Sequence, residues 1–436
     1  MEERQDVIII GGGIIGTAIA FELAKRDYRT LSVDKLPAAG YGPTSNSCAI
    51  VRAYYSSWEG VAMAHEGFSY WDDWDSYIGV KDESGLARYI RSGSLLLKAA
   101  SKQHEKAVHF YDQLGVDYED WDTEEIRSRY PLIDFSQFWP PRRPEDPAFR
   151  DPPDGEVEGA IFNPGAGYVN DPQLATHNLQ RAAEAAGARF EFRQEVVEIL
   201  RDGDRAGGVV LADGRRLEAP VVVNVAGPYS DLVNQMAGVH EDMQIRTRSL
   251  RHEVHYVPAP EDYDFERYGF VVSDGDQGIY FRPTTANHLL VGSEDPECDP
   301  KHWVEDPSDF DRNVTEAQWN AQVFRLAKRL PELKIPNARK GVVDLYDVSD
   351  DWLPIYDRSS LDGFYMAIGS SGNQFKNAPV AGLLMAELID QVERHGRDHD
   401  VDPVTVTCRY TGAELNAGFY TRTREMNPDS SYSVRG

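Results

Sequence analysis

The stretch DVIIIGGGIIGTAIAFELAKRDYRTLSVDK, residues 6–35, decides the fold. Val7 to Ile10 is an apolar, mostly β-branched run of the kind buried on both faces of a parallel sheet. The pattern Gly11-x-Gly13-x-x-Gly16 follows, and a helical pattern then runs from Ile14 to about Arg26, with Ile15, Ile19 and Leu23 on one face. A second short strand, Thr30 to Val33, ends at Asp34, followed by Lys35. Each part has a physical job. Gly11 permits a tight strand-to-helix turn. Gly13 lets a pyrophosphate approach the backbone and the helix N-terminus. Gly16 lets the helix lie close on the strand. Asp34 stands where a carboxylate accepts hydrogen bonds from a ribose. Strand, turn, helix, strand and acid occur in order, so the stretch predicts a dinucleotide site contacted by Gly11, Gly13, Ile14, Ile15, Gly16, Asp34 and Lys35.

Working outward, 436 residues suffice for two domains with sizeable cores. The net charge of −27, from 72 acids against 45 Lys plus Arg, opposes nucleic acid and anionic membrane as partners. Three scattered cysteines, Cys48, Cys298 and Cys408, give neither a disulfide framework nor a zinc spacing, and no metal site is expected. With no basic leader and no apolar run long enough to span a bilayer, the chain reads as cytoplasmic.

The turn-rich segment after Lys35 is placed to reach back over a bound cofactor, and Arg52 closes the short apolar run that follows it. Helical patterns are predicted over about 60–77 and 101–114, and a strand pair broken by Gly93 over 89–97. The proline-dense stretch 139–156 excludes regular structure and is either a connection, the favoured reading, or a lid. A helix over 172–187 and one alternating strand over 189–200 follow, then a hairpin turn at 212–216. A second parallel-type strand, Pro220 to Ala226, leads into Gly227. Alternating runs from Arg246 to about Gly292 predict an antiparallel sheet. A helix over 316–330 precedes a return to strand, glycine turn and helix over 363–389. The tail from Arg397 is polar and reads as an arm.

The glycine motif, the Val-Ala-Gly strand end at 225–227 and the GSSGNQFK turn at 369–376 together resemble the D-amino-acid-oxidase-like FAD flavoproteins. Further likeness to the sarcosine oxidase and dimethylglycine dehydrogenase branch lies in IVRAYY (50–55), AIFNPGAGYVNDPQ (160–173), GIYFRP (278–283) and DLYDVSDDWLPI (344–355). The resemblance implies an α/β fold: a discontinuous Rossmann-like, glutathione-reductase-like FAD-binding domain beside an α+β substrate domain with an antiparallel sheet. The expected boundaries are 1–85, 155–235 and 335–396 for the first domain, 86–154 and 236–334 for the second, and 397–436 for the tail. It also implies FAD contacts at Ser45, Asn46, Val196, Ala226, Gly227, Gly369, Gly372, Asn373, Gln374, Phe375 and Lys376.

Arg52 and Lys376 match the pair that grips the substrate carboxylate in sarcosine oxidase, and Arg282 is a third candidate. Two cations suit the task, because an amino acid must be anchored so that its α-carbon hydrogen faces the flavin. The family's active-site tyrosine aligns with Phe281, its histidine with Glu294 and its oxygen-activating lysine with Leu290. Glu294 is either a partner for the amine or a solvated strand end. The cysteine that links flavin in sarcosine oxidase is Asp344 here, and the linking histidine of the other branch is missing, so non-covalent FAD is expected. The implied activity is oxidation of a secondary or N-methylated amino acid to an imine, with a primary D-amino acid or 2-hydroxy acid as the rival substrate. The electron acceptor is oxygen or a carrier, with the missing lysine favouring a dehydrogenase. The chain is expected to act alone, as a homo-oligomer or as the flavin-bearing subunit of a heteromeric complex.

Overall fold

The structure is a computed structural model describing residues 4–436. Its first sheet has six strands in the order Ile355–Arg358, Phe364–Ile368, Val221–Asn224, Val7–Ile10, Thr30–Asp34 and Arg189–Phe192. All neighbours run parallel except the antiparallel first pair. The unbroken apolar run at Val7 has a simple cause. Val7 and Ile9 enter one core with the helices Ile14–Ala24, Pro172–Ala185 and Ala378–Glu393, while Ile8 and Ile10 enter another beneath the strands Val196–Asp202, Arg205–Leu211 and Arg216–Glu218. Both faces are covered, so no position is left for a polar residue. Gly16 sets the helix-to-strand distance: a Cβ there would lie 2.2 Å from the Gly11 carbonyl oxygen.

The single strand expected over 189–200 is two. The chain bends at Arg193, whose φ is 59°, and the two halves join different sheets. The bend is captured by the end of the neighbouring strand: the N–H groups of Arg193 and Gln194 donate to the carbonyls of Leu36 and Asp34 at 3.0 and 2.9 Å. The strand pair at 89–97 likewise splits at Gly93. Tyr89–Ile90 pairs with Gly167–Val169, and Ser94–Leu97 enters the second large sheet.

That sheet runs His302–Val304, Thr247–Pro258, His288–Ser293, Ile279–Thr284, Val271–Asp274, Ser94–Leu97, Ala160–Asn163, Glu119–Trp121, and Gly341–Ser349 also pairs with Thr247–Pro258. It is antiparallel apart from the pair Val271–Asp274 and Ser94–Leu97. Ala160–Asn163 and Gly341–Ser349 fall inside stretches expected in the nucleotide-binding domain, yet they pair here. The helix Glu316–Arg329 covers one face, and its own charges help to fix it. Buried Arg329 lies 2.6 Å from Asp274 and 2.5 Å from Asp276, and buried Arg325 lies 2.7 Å from Asp299. The stretch 139–156 holds one short turn of 3₁₀ helix, Pro147–Arg150. It lies against that helix, with Arg325 Nε and Lys328 Nζ donating to the carbonyls of Arg142 and Phe149.

The polar tail is no free arm. It forms a small hairpin, Thr405–Thr407 with Glu414–Asn416, and buries Val404, Val406, Leu415 and Tyr420 in the first core. The carboxylate of buried Glu66 accepts the backbone N–H groups of Arg409, Tyr410 and Thr411. Among the described residues no helix is long and apolar enough to cross a membrane.

Candidate active site

A cavity of about 380 Å³ lies where the two sheets meet. At one end stands the first βαβ unit. The helix Ile14–Ala24 begins at Gly13 with no side-chain cap, and Gly13, Ile14, Ile15 and Gly16 line the wall. A Cβ on Gly13 would meet only Thr44 Oγ1, at 3.2 Å, so the floor here is open backbone. Gly11, at φ 119°, has no such freedom: its Cβ would lie 2.2 Å from the Val225 carbonyl oxygen. The Asp34 carboxylate is held in place by the N–H groups of Gly12 at 2.7 Å and Leu36 at 2.8 Å. Lys35 lies over the Tyr229 ring, and Val196, Ala226 and Gly227 complete this end. Ser45 does not reach the wall, since its hydroxyl turns back to the Gly42 carbonyl. Its neighbour Thr44 does, accepting the Ile14 N–H at 3.3 Å.

Along the middle, Asn46 donates to the Asp344 carboxylate at 2.7 Å, and the Cys48 thiol sits 3.2 Å from the Tyr280 hydroxyl. Burial pushes both the Asp344 carboxyl and the Cys48 thiol upward. Asp347 is pushed up to about 7 by burial, against the lowering effect of the Gly369 N–H that it accepts at 2.6 Å. Gly369 is spent on that bond and lies off the wall, whereas Gly372, Asn373, Gln374, Phe375 and Lys376 are on it. Gly372 needs its φ of 71° and its missing side chain, because a Cβ would sit 2.4 Å from the Tyr346 ring.

Charged groups converge at the far end. Arg52 is buried over the rings of Tyr54 and Tyr55. Lys376 is buried beside it, donating to the Asn373 carbonyl at 2.6 Å; burial first, then the Arg52 charge, holds its pKa well below the ordinary lysine value. Glu294 is buried and on the wall, so it is no solvated strand end. Burial raises its carboxyl, opposed by Arg435 and by the Ser273 hydroxyl that donates to it. Arg435 Nη1 stands 3.4 Å from Glu294 Oε2.

Phe281, Arg282 and Leu290 are not on this wall. Phe281 points into the core packed by the helix Glu316–Arg329, and the alternation of the strand Ile279–Thr284 brings Tyr280 to the cavity instead. Arg282 is on the same side as Tyr280 but is consumed by the carbonyls of Cys48 and Pro283 and lies over Tyr168. Leu290 packs with Val254 and Tyr280 rather than lining the wall. Residues 434 and 435, from the tail, line it without any signal in the sequence.

The residues fit FAD. A helix start with glycine at its N-cap can meet a pyrophosphate and a fixed carboxylate a ribose. Asn373 on the wall carries a buried Nδ2 with no hydrogen-bond partner, a donor left for a ligand.

A family model described as FAD dependent oxidoreductase matches residues 6–388. The chain is 25% identical to a glycine oxidase of Geobacillus kaustophilus, over 93% of this chain and 98% of that one. It is 24% identical to a sarcosine oxidase subunit beta of an Arthrobacter species, over 90% of this chain and 89% of the relative. Among solved structures, the L-proline dehydrogenase of P. horikoshii superposes with a TM-score of 0.72 at 21% identity, covering 91% of this chain and 95% of that one.

Proposed function

Because the chain belongs to the FAD-dependent oxidoreductase family, we propose that it oxidises the C–N bond of a small amino acid, with a secondary or N-methylated amine preferred. The observation that carries this reading is the convergence of Arg52, Lys376 and buried Glu294 at one end of a cavity whose other end is the dinucleotide motif. When bound, FAD would supply the two-electron acceptor for the substrate's C–H bond. Arg52 and Lys376 anchor the carboxylate, and the arriving negative charge offsets the burial that disfavours charged Lys376. Glu294 accepts a hydrogen bond from the amine. This group favours an amine over a 2-hydroxy acid, whose hydroxyl carries no positive charge to repay burying a carboxylate. Gly11, Gly13, Gly16, Asp34, Val196, Gly227 and the wall from Gly372 to Phe375 hold the cofactor.

Non-covalent attachment is supported by Asp344 at the linking position and by a Cys48 thiol that burial keeps protonated and that lies against Tyr280. Leu290, an apolar core residue, favours electron transfer to a carrier over fast reaction with oxygen. The similarity to a sarcosine oxidase subunit beta supports a place in a heteromeric complex as the second arrangement.

The test is the visible spectrum of the purified protein, followed anaerobically on adding sarcosine. Bleaching of a flavin spectrum supports the reading. A flavin spectrum indifferent to sarcosine, proline and glycine, with or without a partner subunit, overturns the substrate class. Acid precipitation that leaves the yellow colour in the pellet overturns non-covalent attachment.

A further inference from the structure

Two of the three charged groups at the substrate end, Arg52 and Glu294, have partners from consecutive residues of the tail. Arg52 Nη2 donates to the Val434 carbonyl at 2.6 Å. The next residue, Arg435, places its guanidinium 3.4 Å from Glu294. Ser56 donates to the Gly436 carbonyl. An amino acid brings the same two chemistries: a carboxylate oxygen for the cation and a positively charged nitrogen for the carboxylate. We propose that residues 430–436 are an intramolecular substrate mimic, a strap that occupies the substrate's own anchor points and is displaced when an amino acid binds.

The energetics favour a partner of this kind. Without the tail, buried Arg52 would keep only the Tyr54 carbonyl and the rings beneath it, and buried Glu294 only the Ser273 hydroxyl, and buried charges so thinly partnered carry a desolvation cost. The strap covers that cost while the site is free of substrate. Its holding points suit a reversible role. The chain just before it is fixed, with buried Arg422 on Asp357 at 3.0 Å and half-buried Arg424 on buried Asp351 at 2.8 Å. Beyond Ser430, whose hydroxyl donates to the Asp351 carbonyl, no helix or strand forms. The tip is held by Val434 among Leu250, Val348 and Trp352, by the surface contact of Lys301 with the Tyr432 carbonyl, and by the two charged anchors themselves. The root stays fixed while a ligand would replace the tip's bonds to Arg52 and Glu294, leaving buried Ser433, Val434 and Gly436 to lift away. Arg435 Nε and Glu294 Oε2 are both buried without a hydrogen-bond partner, so the ion pair between the two residues leaves the carboxylate open to a better-placed donor.

The inference rests on the amino-acid reading of the site, and the experiment separates the two. The FAD-loaded protein is titrated with 2-aminoisobutyrate, which carries both the carboxylate and the charged nitrogen but no α-hydrogen to be oxidised, and flavin absorbance is followed. The same titration is made on Arg435→Gln and on a variant lacking residues 431–436. Removing a competitor tightens binding by the fraction of time it occupied the site, here expected to be on the order of tenfold in both variants. In the intact protein, hydrogen exchange at residues 430–436 should rise on adding the ligand, with no rise in the Thr405–Thr407 hairpin. Equal or weaker binding in the variants, or a flavin shift without a rise in tail exchange, overturns the mimicry alone. No flavin shift in any of the three proteins overturns the carboxylate site and the mimicry with it.

Discussion

Asp347 and Lys376 are buried on the same wall and shifted in opposite directions, each toward its neutral form. A carboxyl raised from 3.8 to about 7 holds a proton in the folded state that the unfolded chain has already released. The stability of the flavin-free protein therefore falls as pH rises between those two values and levels off above them. The span is at most roughly 4 kcal/mol. In Asp347→Asn this contribution vanishes, so urea unfolding at roughly pH 5 and pH 8 should differ less in the variant than in the wild type. An unchanged difference would assign the slope to other carboxyls. For Lys376, replacement by Met removes one of the two proposed carboxylate anchors. Flavin reduction should slow and KM rise, with a combined loss on the order of 100-fold, as expected for removing one member of a buried charge pair. Stopped-flow reduction at near-normal rates would take Lys376 out of the site.

At the scale of elements, the close contact between the helices Ile14–Ala24 and Ala378–Glu393 depends on one residue. A Cβ on Gly382 would lie 2.8 Å from the Ala18 backbone. Gly382→Val should force the helices apart at a cost of about 1–3 kcal/mol and weaken FAD binding, because the first helix also carries the glycine floor. Thermal unfolding and FAD titration check both, and a variant of normal stability would show that the interface yields freely. The first βαβ unit was legible because its rules are local: two-sided burial makes an unbroken apolar strand, and the glycines sit where backbone must approach backbone. The break at Arg193 was not, since it is set by carbonyls of Leu36 and Asp34 far away in sequence. Strand alternation assigned Tyr280 and Phe281 to opposite faces but could not say which face met the cavity. Thr44 and Ser45 differ by one position in a turn, below what sequence can place. The tail was least legible of all. Its backbone is held by distant partners, Glu66 for 409–411 and Arg52 for Val434, and no period in the sequence marks such contacts.

The whole molecule carries a net charge of −27, and that sets how it answers to salt. Part of the attraction in this fold lies in short, buried pairs such as Arg329 with Asp274 and Arg325 with Asp299, which solvent ions do not reach, and the exposed pairs are individually weak. Repulsion is spread over many exposed carboxylates at longer range. Salt screens charges separated by more than about 10 Å at 0.1 M, so it removes more repulsion than attraction. The melting temperature of the flavin-free protein should therefore rise by several degrees between about 10 mM and 500 mM NaCl. In the proposed site the pyrophosphate of FAD adds negative charge to the same field, and among the described residues lining that end the compensation is a helix start and Lys35. Its affinity should rise over the same salt range, in contrast to a cationic site, where salt weakens anion binding. Differential scanning fluorimetry and fluorescence titration with FAD read the two effects separately. A melting temperature that falls with salt would mean that exposed ion pairs outweigh the net charge. An FAD affinity that falls would mean that local cations, not the acidic surface, govern the approach of the cofactor.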